Sequence, residues 1–455
     1  MTAMVSLEVL ILAGVGSPAA LFAWLGVASL VNRPLPERWT GRLAALCMAV
    51  SFASLGAAAV LYVTTRTGSM VLSYGAWSSS RVEGIAIEFL VDGLSLAFAT
   101  LAAAIAGVVA AFSNRYLHGE PGYNRYFVLF AMFVTGLLLV ALAGNVEVLF
   151  VGWELVGLSS ALLVGFFHER PAPVSNALRV FTIYRISDAA MLSAAVLLHH
   201  VAGSGSLSLL FGSAGSPAAA TLSGVSATTI AVLLIVAVAG KSALLPFSGW
   251  LPRAMEGPTP SSAVYYGSLS IHAGCFLLLR AAPLLEQSLA ARLLAGGIGG
   301  ATALFATLTT RVQTDVKSSL AYASLTQVGI IVLEIALGLY TIAFLHMAGH
   351  ACFRLLQFLS APNVLHDLHG LESAAGERLG PSAGSRDMVA STGLRRRAFL
   401  VALERGFLDA ILDRLVVEPF TRGTAWMMRF DRWLCDLVGA PAAVAAAPEG
   451  TGPDD

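Results

Sequence analysis

Long apolar runs, each close to the length that crosses a lipid bilayer, recur along this chain and leave few folds open to it. A bilayer core needs about 20 consecutive apolar residues per helix. Hydrophobic residues make up 57% of the 455 residues and charged residues only 12%, so neither a soluble core nor a disordered chain accommodates the sequence. The sequence predicts an all-α polytopic membrane protein with about 11 transmembrane helices. The predicted runs lie near 7–31, 42–65, 92–113, 126–144, 147–167, 175–201, 228–247, 260–282, 287–309, 316–339 and 340–361.

The charges outside these runs are few and balanced. Twenty-seven basic and 27 acidic residues cancel, which gives no electrostatic basis for binding nucleic acid and makes the bilayer the expected surrounding. The loops after the odd-numbered runs hold most of the basic residues. Because positively charged loops stay in the cytoplasm, we expect the N-terminus outside and the C-terminus in the cytoplasm.

The cysteines give no sign of a cofactor. Cys47, Cys275, Cys352 and Cys435 are far apart, so they form neither a disulfide framework nor an iron–sulfur or zinc pattern. The chain also carries no haem or flavin motif. We expect no cofactor in this chain.

Ionisable residues inside the runs are the functional signal, because a charge in hydrocarbon costs about 2.5–3.5 kcal/mol on insertion scales. Arg185 and Asp188 are three apart, so they share a helix face and can pair. His346, His350 and Arg354 repeat every four residues and form one polar stripe. The candidates inside the runs are Glu154, Arg185, Asp188, Lys241, His272, Lys317, Glu334, His346, His350 and Arg354.

Lys241 is the most informative of these residues, because prolines follow it closely. Pro246 and Pro252 predict a broken seventh helix, and a break at membrane depth is tolerated only inside protein or beside a hydrated cavity. Glu154 can supply a carboxylate to this lysine. A lysine whose charge depends on a neighbouring carboxylate can pass a proton, so we predict an ion path here.

Structural interpretations stay open for several candidates. Glu154 and Lys241 can form an ion pair that only stabilises the bundle, and Arg185 with Asp188 can be a supporting pair. His272 alone fits a core histidine with its hydrogen bonds satisfied. Lys317 lies near a helix end and Glu334 further along, and either side chain can snorkel to the membrane surface.

Several motifs together resemble the antiporter-like superfamily, which includes the large ion-translocating subunits of respiratory complex I and of Mrp sodium/proton antiporters. The resemblance covers about 85–370 and implies that Glu154 and Lys241 are the central proton-driving pair, with Lys317, His272, His350 and Arg354 extending the polar axis. The motifs are VDGLSLAF (91–98), GYNRYF (122–127), VGWELVGLSSALLVGFF (151–167), YRISDAAML (184–192), KSALLPFSGWLPRAMEGPTPSSA (241–263), TDVKSSLAYASLTQVGI (314–330) and HMAGHACFRLLQFL (346–359).

Departures from the complex I pattern suggest a subgroup. Tyr266 stands where complex I subunits usually carry histidine, and Arg354 stands where they carry lysine. The stretches 353–367 and 402–420 resemble the membrane B subunits of DAB inorganic-carbon transporters. That resemblance implies a soluble cytoplasmic partner similar to β-carbonic anhydrase, with zinc in the partner, and a location in the bacterial inner membrane.

The resemblance also implies an organisation into inverted repeats, of which the second is truncated. A C-terminal amphipathic helix would lie on the membrane surface or on a partner. The expected segments are N-terminal transmembrane helices (1–68), an external hairpin (69–91) with its turn at Ser78-Ser79-Ser80, a first antiporter-like repeat (92–282), a truncated second repeat (283–370), a cytoplasmic linker (371–397), the amphipathic helix (398–438) and a disordered tail (439–455).

From the sequence we therefore expect a cation-translocating subunit, moving protons in the first place, of an energy-coupled inorganic-carbon uptake complex. On this interpretation the chain is a transporter subunit and not part of an enzyme. The alternatives are a proton-pumping subunit of an NADH-quinone oxidoreductase or hydrogenase complex, an Mrp-type antiporter subunit, and a membrane scaffold with a degenerate ion path.

Overall fold

A computed structural model describes residues 2–66, 68–76, 86–211, 224–313, 315–361, 399–403, 406 and 408–438. Within these residues, 11 helices are long and apolar enough to cross a membrane. The prediction of an all-α polytopic membrane protein is confirmed. Several spanning helices begin at a side-chain cap: Asp92, Asn145, Ser288 and Asp315 each accept a hydrogen bond from the backbone three residues on, which satisfies an otherwise unpaired amide.

The described helices follow one another along the chain. They are α1 (Thr2–Leu30), α2 (Glu37–Thr65), α3 (Gly93–Tyr116), α4 (Tyr123–Leu142), α5 (Val146–Val164), α6 (Pro171–Ala202), α7 (Leu207–Phe211), α8 (Gly224–Lys241), α9 (Trp250–Arg253), α10 (Thr259–Ser261), α11 (Ser270–Arg280), α12 (Ala282–Glu286), α13 (Leu289–Thr310), α14 (Val316–Ala336), α15 (Tyr340–Ser360), α16 (Leu408–Leu412) and α17 (Glu418–Val438). The described residues also include a 3₁₀ turn (Ala254–Glu256), two π-helical stretches (Ser262–Leu269 and Asp413–Val417) and helical residues at 399–403.

The seventh spanning helix breaks at the lysine, as the prolines predict. Helix α8 ends at Lys241, and Ala243 then takes a left-handed backbone conformation with φ of +54°. Pro246 lies in the non-helical connection and Pro252 lies inside the short helix α9. The break therefore places Lys241 at a helix end inside the bundle, where its side chain is fully buried.

The eighth spanning segment lies at the centre of the bundle. It runs over Thr259–Arg280 and combines α10, the π-helical stretch and α11, with every residue of its apolar window buried. Outer helices such as α13 bury far less of their surface. The π-helical stretch Ser262–Leu269 lies within this segment, and π-helical turns in proteins often lie at functional sites.

A small antiparallel sheet precedes α3. Strands β1 (Met70–Ala76) and β2 (Ala86–Val91) pair with Met70 opposite Val91. The predicted turn at 78–80 lies outside the described residues. The backbone of β2 is tied to the start of α5, because Gly144 donates a hydrogen bond of 2.8 Å to the Glu88 carbonyl.

The chain divides into two compact units, 1–409 and 410–455. In the second unit, α17 carries the stacked rings of Trp426, Phe430 and Trp433 on one exposed face. Charged residues occupy other positions of the helix, so the amphipathic character predicted for 398–438 is present over α17. The predicted linker 371–397 and tail 439–455 lie outside the described residues, and the repeat boundaries stay predictions.

Candidate functional site

Four buried or half-buried charged side chains from α5, α6 and α8 form one connected group, here called the charge chain: Glu154, Arg185, Asp188 and Lys241. Lys241 Nζ lies 3.7 Å from Asp188 Oδ1, with both side chains almost completely buried. Arg185 Nη2 lies 2.7 Å from Asp188 Oδ2 and 2.8 Å from Glu154 Oε2. Two cations and two anions therefore alternate, and the group is formally neutral.

The order within this chain corrects the sequence prediction. We predicted that Glu154 and Lys241 meet directly, with Arg185 and Asp188 in a supporting role. Arg185 is instead the partner of Glu154, and Asp188 is the carboxylate beside Lys241. The reason is geometric: the three-residue spacing on α6 presents both Arg185 and Asp188 toward the space between α5 and α8.

A second polar group, here called the histidine group, joins α11 to α15. His272 Nε2 and His350 Nδ1 lie 2.9 Å apart, and Arg354 Nε donates to His350 Nε2 at 3.1 Å. His272 Nδ1 contacts the Ser268 carbonyl, and Arg354 Nη1 donates to Gln357 Oε1 at 2.6 Å. The sequence predicted the stripe on α15, but it did not predict that His272 meets it.

The donors and acceptors of the histidine group fix the direction of its hydrogen bonds. Arginine only donates, so His350 Nε2 accepts and His350 Nδ1 carries the hydrogen when the ring is neutral. His272 Nε2 then accepts from His350, and His272 Nδ1 donates to the Ser268 carbonyl. All hydrogen bonds point from Arg354 toward Ser268, so a proton can pass only if this order is broken or reversed.

His346 and Glu334 form the outer end of the same region. His346 Nδ1 donates to Glu334 Oε1 at 3.0 Å, and His346 Nε2 lies 3.0 Å from Gln327 Oε1. Glu334 therefore pairs inside the bundle and does not snorkel outward. Both ring nitrogens of His346 therefore have a side-chain oxygen as neighbour.

Lys317 is separate from both groups. It is half-buried at the start of α14, where the charges of Asp315 and Glu256 act on it. Among the described residues it has neither an ion pair nor a hydrogen bond through its side chain to the charge chain or the histidine group. Its predicted place on the polar axis stays a prediction.

Sequence reasoning missed one buried ion pair. Asp92 and Arg280 form a two-point contact at 2.5 and 3.0 Å, and Arg280 also donates to Ser95 Oγ at 2.6 Å. The available signal was an arginine at the end of a fully apolar segment, which needs an anionic partner. The pair joins the start of α3 to the end of α11.

A further acidic contact lies where α5 begins and α6 ends. Glu147 Oε1 and His199 Nε2 are 2.5 Å apart. Burial, and in second place the charge of Glu147, raise the pKa of Glu88 on strand β2. Within the described residues, no group of three or more His, Cys, Asp or Glu side chains is arranged to hold a metal ion.

The fold and these contacts define the class: a polytopic membrane protein that carries ion-paired charges inside its helical bundle, beside a helix that breaks at a lysine. The family profile described as NADH:quinone oxidoreductase/Mrp antiporter, TM, matches residues 143–397, and that of NADH-ubiquinone oxidoreductase (complex I), chain 5 N-terminus, matches 77–127. The chain belongs to this NADH:quinone oxidoreductase/Mrp antiporter family, which confirms the resemblance to the antiporter-like superfamily.

Named relatives are oxidoreductase chains. NADH-ubiquinone oxidoreductase chain 5 of Allomyces macrogynus is 31% identical over 77% of this chain and 54% of its own length. NADH-quinone oxidoreductase subunit L of Mycobacterium tuberculosis (strain ATCC 25618 / H37Rv) is 33% identical over 63% of this chain and 45% of its own length. This chain thus spans about half the length of the curated relatives that it matches.

Solved structures agree on the fold. The Mrp complex from Dietzia sp. DQ12-45-1b contains a chain with a TM-score of 0.64 and 26% identity, covering 87% of this chain and 40% of that chain. The membrane-bound sulfane sulfur reductase, an archaeal respiratory complex, gives a TM-score of 0.66 at 17% identity over 90% of this chain and 87% of that chain. At this identity the second match shows a shared fold alone.

The relatives correct one expectation. We expected a transporter subunit that is not part of an enzyme, but the curated relatives are subunits of an oxidoreductase, so that expectation is wrong. They also favour our alternative, an oxidoreductase subunit, over inorganic-carbon uptake. The closer resemblance to DAB membrane subunits gains no support from them.

Proposed function

We propose that this chain is the proton-translocating subunit of a membrane-bound oxidoreductase assembly. The observation that carries the proposal is the charge chain, in which Glu154, Arg185, Asp188 and Lys241 connect three spanning helices. Each charge is costly at membrane depth. A neutral structural bundle would not require alternating charges that end on a broken helix.

The charge chain suggests how protonation at one end is felt at the other. Arg185 contacts both carboxylates at once. A proton on Glu154 removes one of the two anions that hold Arg185, so the arginine then interacts more strongly with Asp188. Asp188 in turn stabilises the Lys241 ammonium less, and the lysine releases its proton more readily.

The exposure of Glu154 and Arg185 supports a multisubunit assembly. Their side chains are 29% and 33% exposed on a spanning part of the bundle. Charged side chains at membrane depth are rare and almost always face the interior of a protein bundle or a hydrated cavity. A neighbouring membrane subunit that covers this side of α5 and α6 would shield both side chains from lipid.

The assembly can be identified by isolation from native membranes. A tagged chain is purified in mild detergent and its co-purifying proteins are identified by mass spectrometry. Iron–sulfur or quinone-binding subunits are the expected result. Several small membrane proteins with sodium-dependent flux would point instead to an Mrp-type antiporter. A soluble zinc protein similar to β-carbonic anhydrase would restore the carbon-uptake interpretation. Either result would overturn the proposal.

Proton movement is tested in the purified assembly reconstituted into vesicles that contain a pH-sensitive dye. Lys241→Met and Asp188→Asn each remove one charge at the buried end, so we expect proton translocation to fall at least tenfold while the subunit composition is unchanged. Ser193→Ala is the matched control, because Ser193 lies exposed on α6 and its hydroxyl group, among the described residues, donates to the Ala189 carbonyl of its own helix. Wild-type translocation in both charge variants would contradict the proposed role of the charge chain.

A further inference from the structure

The surroundings of Lys241 are aromatic as well as charged. Its Nζ lies 4.3 Å from the ring centre of Tyr184 and 4.9 Å from that of Trp153. Both rings are fully buried. An ammonium within about 6 Å of an aromatic ring face is attracted by the negative charge on that face, and the attraction grows when water is excluded.

The other contacts of the Lys241 ammonium are few, so the rings of Trp153 and Tyr184 supply a substantial share of its stabilisation. Lys241 donates one hydrogen bond, of 3.1 Å, to the Trp153 carbonyl. Asp188 Oδ1, at 3.7 Å, is close enough for charge attraction but too far for a hydrogen bond. The other N–H groups of the ammonium have no hydrogen bond within the described residues, so the ring faces compensate, together with the charge of Asp188, for the loss of water.

The sequence spacing forms this environment from two helix faces. Trp153 and Gly157 lie four apart on α5, and Tyr184 and Asp188 lie four apart on α6, so each pair shares a face. A Cβ at position 157 would lie 2.7 Å from Lys241 Nζ. The absence of a side chain there makes the room that the ammonium occupies.

We propose that Trp153 and Tyr184 are positioning residues that stabilise the protonated form of Lys241 and so set the pH range in which the chain moves protons. The functional half of this inference rests on the proposed function. Tyr184 also packs edge-on against Trp250, with ring centres 5.1 Å apart, which holds its face toward the lysine.

The lysine content of the chain allows a direct test. Lys241 and Lys317 are its two lysines, so protein labelled with ¹⁵N at lysine Nζ gives two side-chain signals, and Lys317→Arg leaves one. The titration of Lys241 is then followed by nuclear magnetic resonance on the purified full-length chain in detergent. Tyr184→Leu removes the ring, and Tyr184→Phe keeps the ring while removing the hydroxyl group.

We expect the titration midpoint of Lys241 to move to lower pH by about one unit in Tyr184→Leu and to stay near the wild-type value in Tyr184→Phe. The pH above which the rate of proton translocation falls should move in the same direction as this midpoint. Phe130→Leu removes another fully buried ring outside this environment and controls for loss of packing. A wild-type midpoint in Tyr184→Leu, or equal shifts in Tyr184→Leu and Tyr184→Phe, would overturn the proposal.

Two further outcomes distinguish a failure of this inference from a failure to assemble and from a failure of the proposed function. If Tyr184→Leu does not assemble, Trp153→Phe replaces the stronger ring by a weaker one, and a smaller shift in the same direction is expected; no shift would count against the proposal. If the midpoints shift as expected but the wild-type assembly moves no protons, the aromatic environment is upheld and the proposed function fails.

Discussion

Asp188 is held by two cations from different helices, with Arg185 at 2.7 Å and Lys241 at 3.7 Å. Such an anion is stable only while both partners remain, because a buried charge without a partner costs several kcal/mol. A change at either cation is therefore transmitted to the other. The protonation of one residue in the charge chain can therefore affect that of another residue several ångströms away.

Glu88, which lies outside the spanning helices, is a second acidic residue whose charge is affected by its surroundings. Its carboxyl group is half-buried on β2, and burial together with the charge of Glu147 raises its pKa. A carboxyl group with a raised pKa in the folded protein contributes its full stability below its unfolded pKa, about 4.3. That contribution is lost as the pH rises through the folded value.

Glu88→Gln should therefore stabilise the protein at pH 8 and change little at pH 4, because the amide resembles the protonated acid. We expect the midpoint of thermal unfolding to rise by about 1–2 °C at pH 8, measured on purified protein in detergent. Glu120→Gln, at an exposed position, should show no such dependence on pH. A Glu88→Gln effect of the same size at both pH values would refute this explanation.

At the scale of helices, two pairs cross at closely packed glycines. A Cβ on Gly152 of α5 would lie 2.6 Å from the Gly136 carbonyl of α4, and a Cβ on Gly299 of α13 would lie 2.7 Å from the Gly329 carbonyl of α14. Small residues allow membrane helices to approach closely. Each of the two predicted repeats thus contains one helix pair of this kind.

Gly152→Ala should force α4 and α5 apart, because the added methyl group meets backbone atoms that cannot move independently. We expect a loss of about 1–3 kcal/mol in stability and slower proton translocation, since Glu154 lies two residues further along α5. Thermal unfolding and the vesicle assay measure the two effects. Gly107→Ala on α3 is the matched control, because its Cβ would meet nothing within 4 Å. If both variants were equally stable, helix spacing would not depend on Gly152.

At the scale of the whole bundle, the Asp92–Arg280 pair joins elements 188 positions apart in the chain. Arg280 also contacts Ser95, so three polar groups fix the start of α3 against the end of α11. The contact lies among apolar helices and is almost completely buried. The Asp92–Arg280 pair therefore fixes the position of α3 along the membrane normal relative to α11, which is part of the central segment.

Arg280→Gln should destabilise the protein by about 3–5 kcal/mol, because it leaves a buried carboxylate without its cation. Arg115→Gln, at an exposed position near the end of α3, should have little effect. The double variant Asp92→Asn/Arg280→Gln should lose less than the sum of the single variants, since neither charge is then left alone. Thermal or denaturant unfolding of the purified protein measures all of these variants, and additive losses would show that the pair is not coupled.

The local signals of the sequence were reliable where a property depends on neighbouring residues. The length of each apolar run predicted the 11 spanning segments. The prolines predicted the break after Lys241, and the three-residue spacing predicted the Arg185–Asp188 pair. The predicted direct contact of Glu154 with Lys241 failed, because it depends on the rotation and depth of separate helices.

Hydrophobicity, proline positions and helical periodicity are written along the chain, and together they determined that this protein spans the membrane many times and carries charges inside it. Only the tertiary structure decided which of those charges meet: Asp188 with Lys241, His272 with His350, and Asp92 with Arg280. The physical reason is that an apolar helix can rotate and shift along the membrane normal at little cost until packing against its neighbours fixes both.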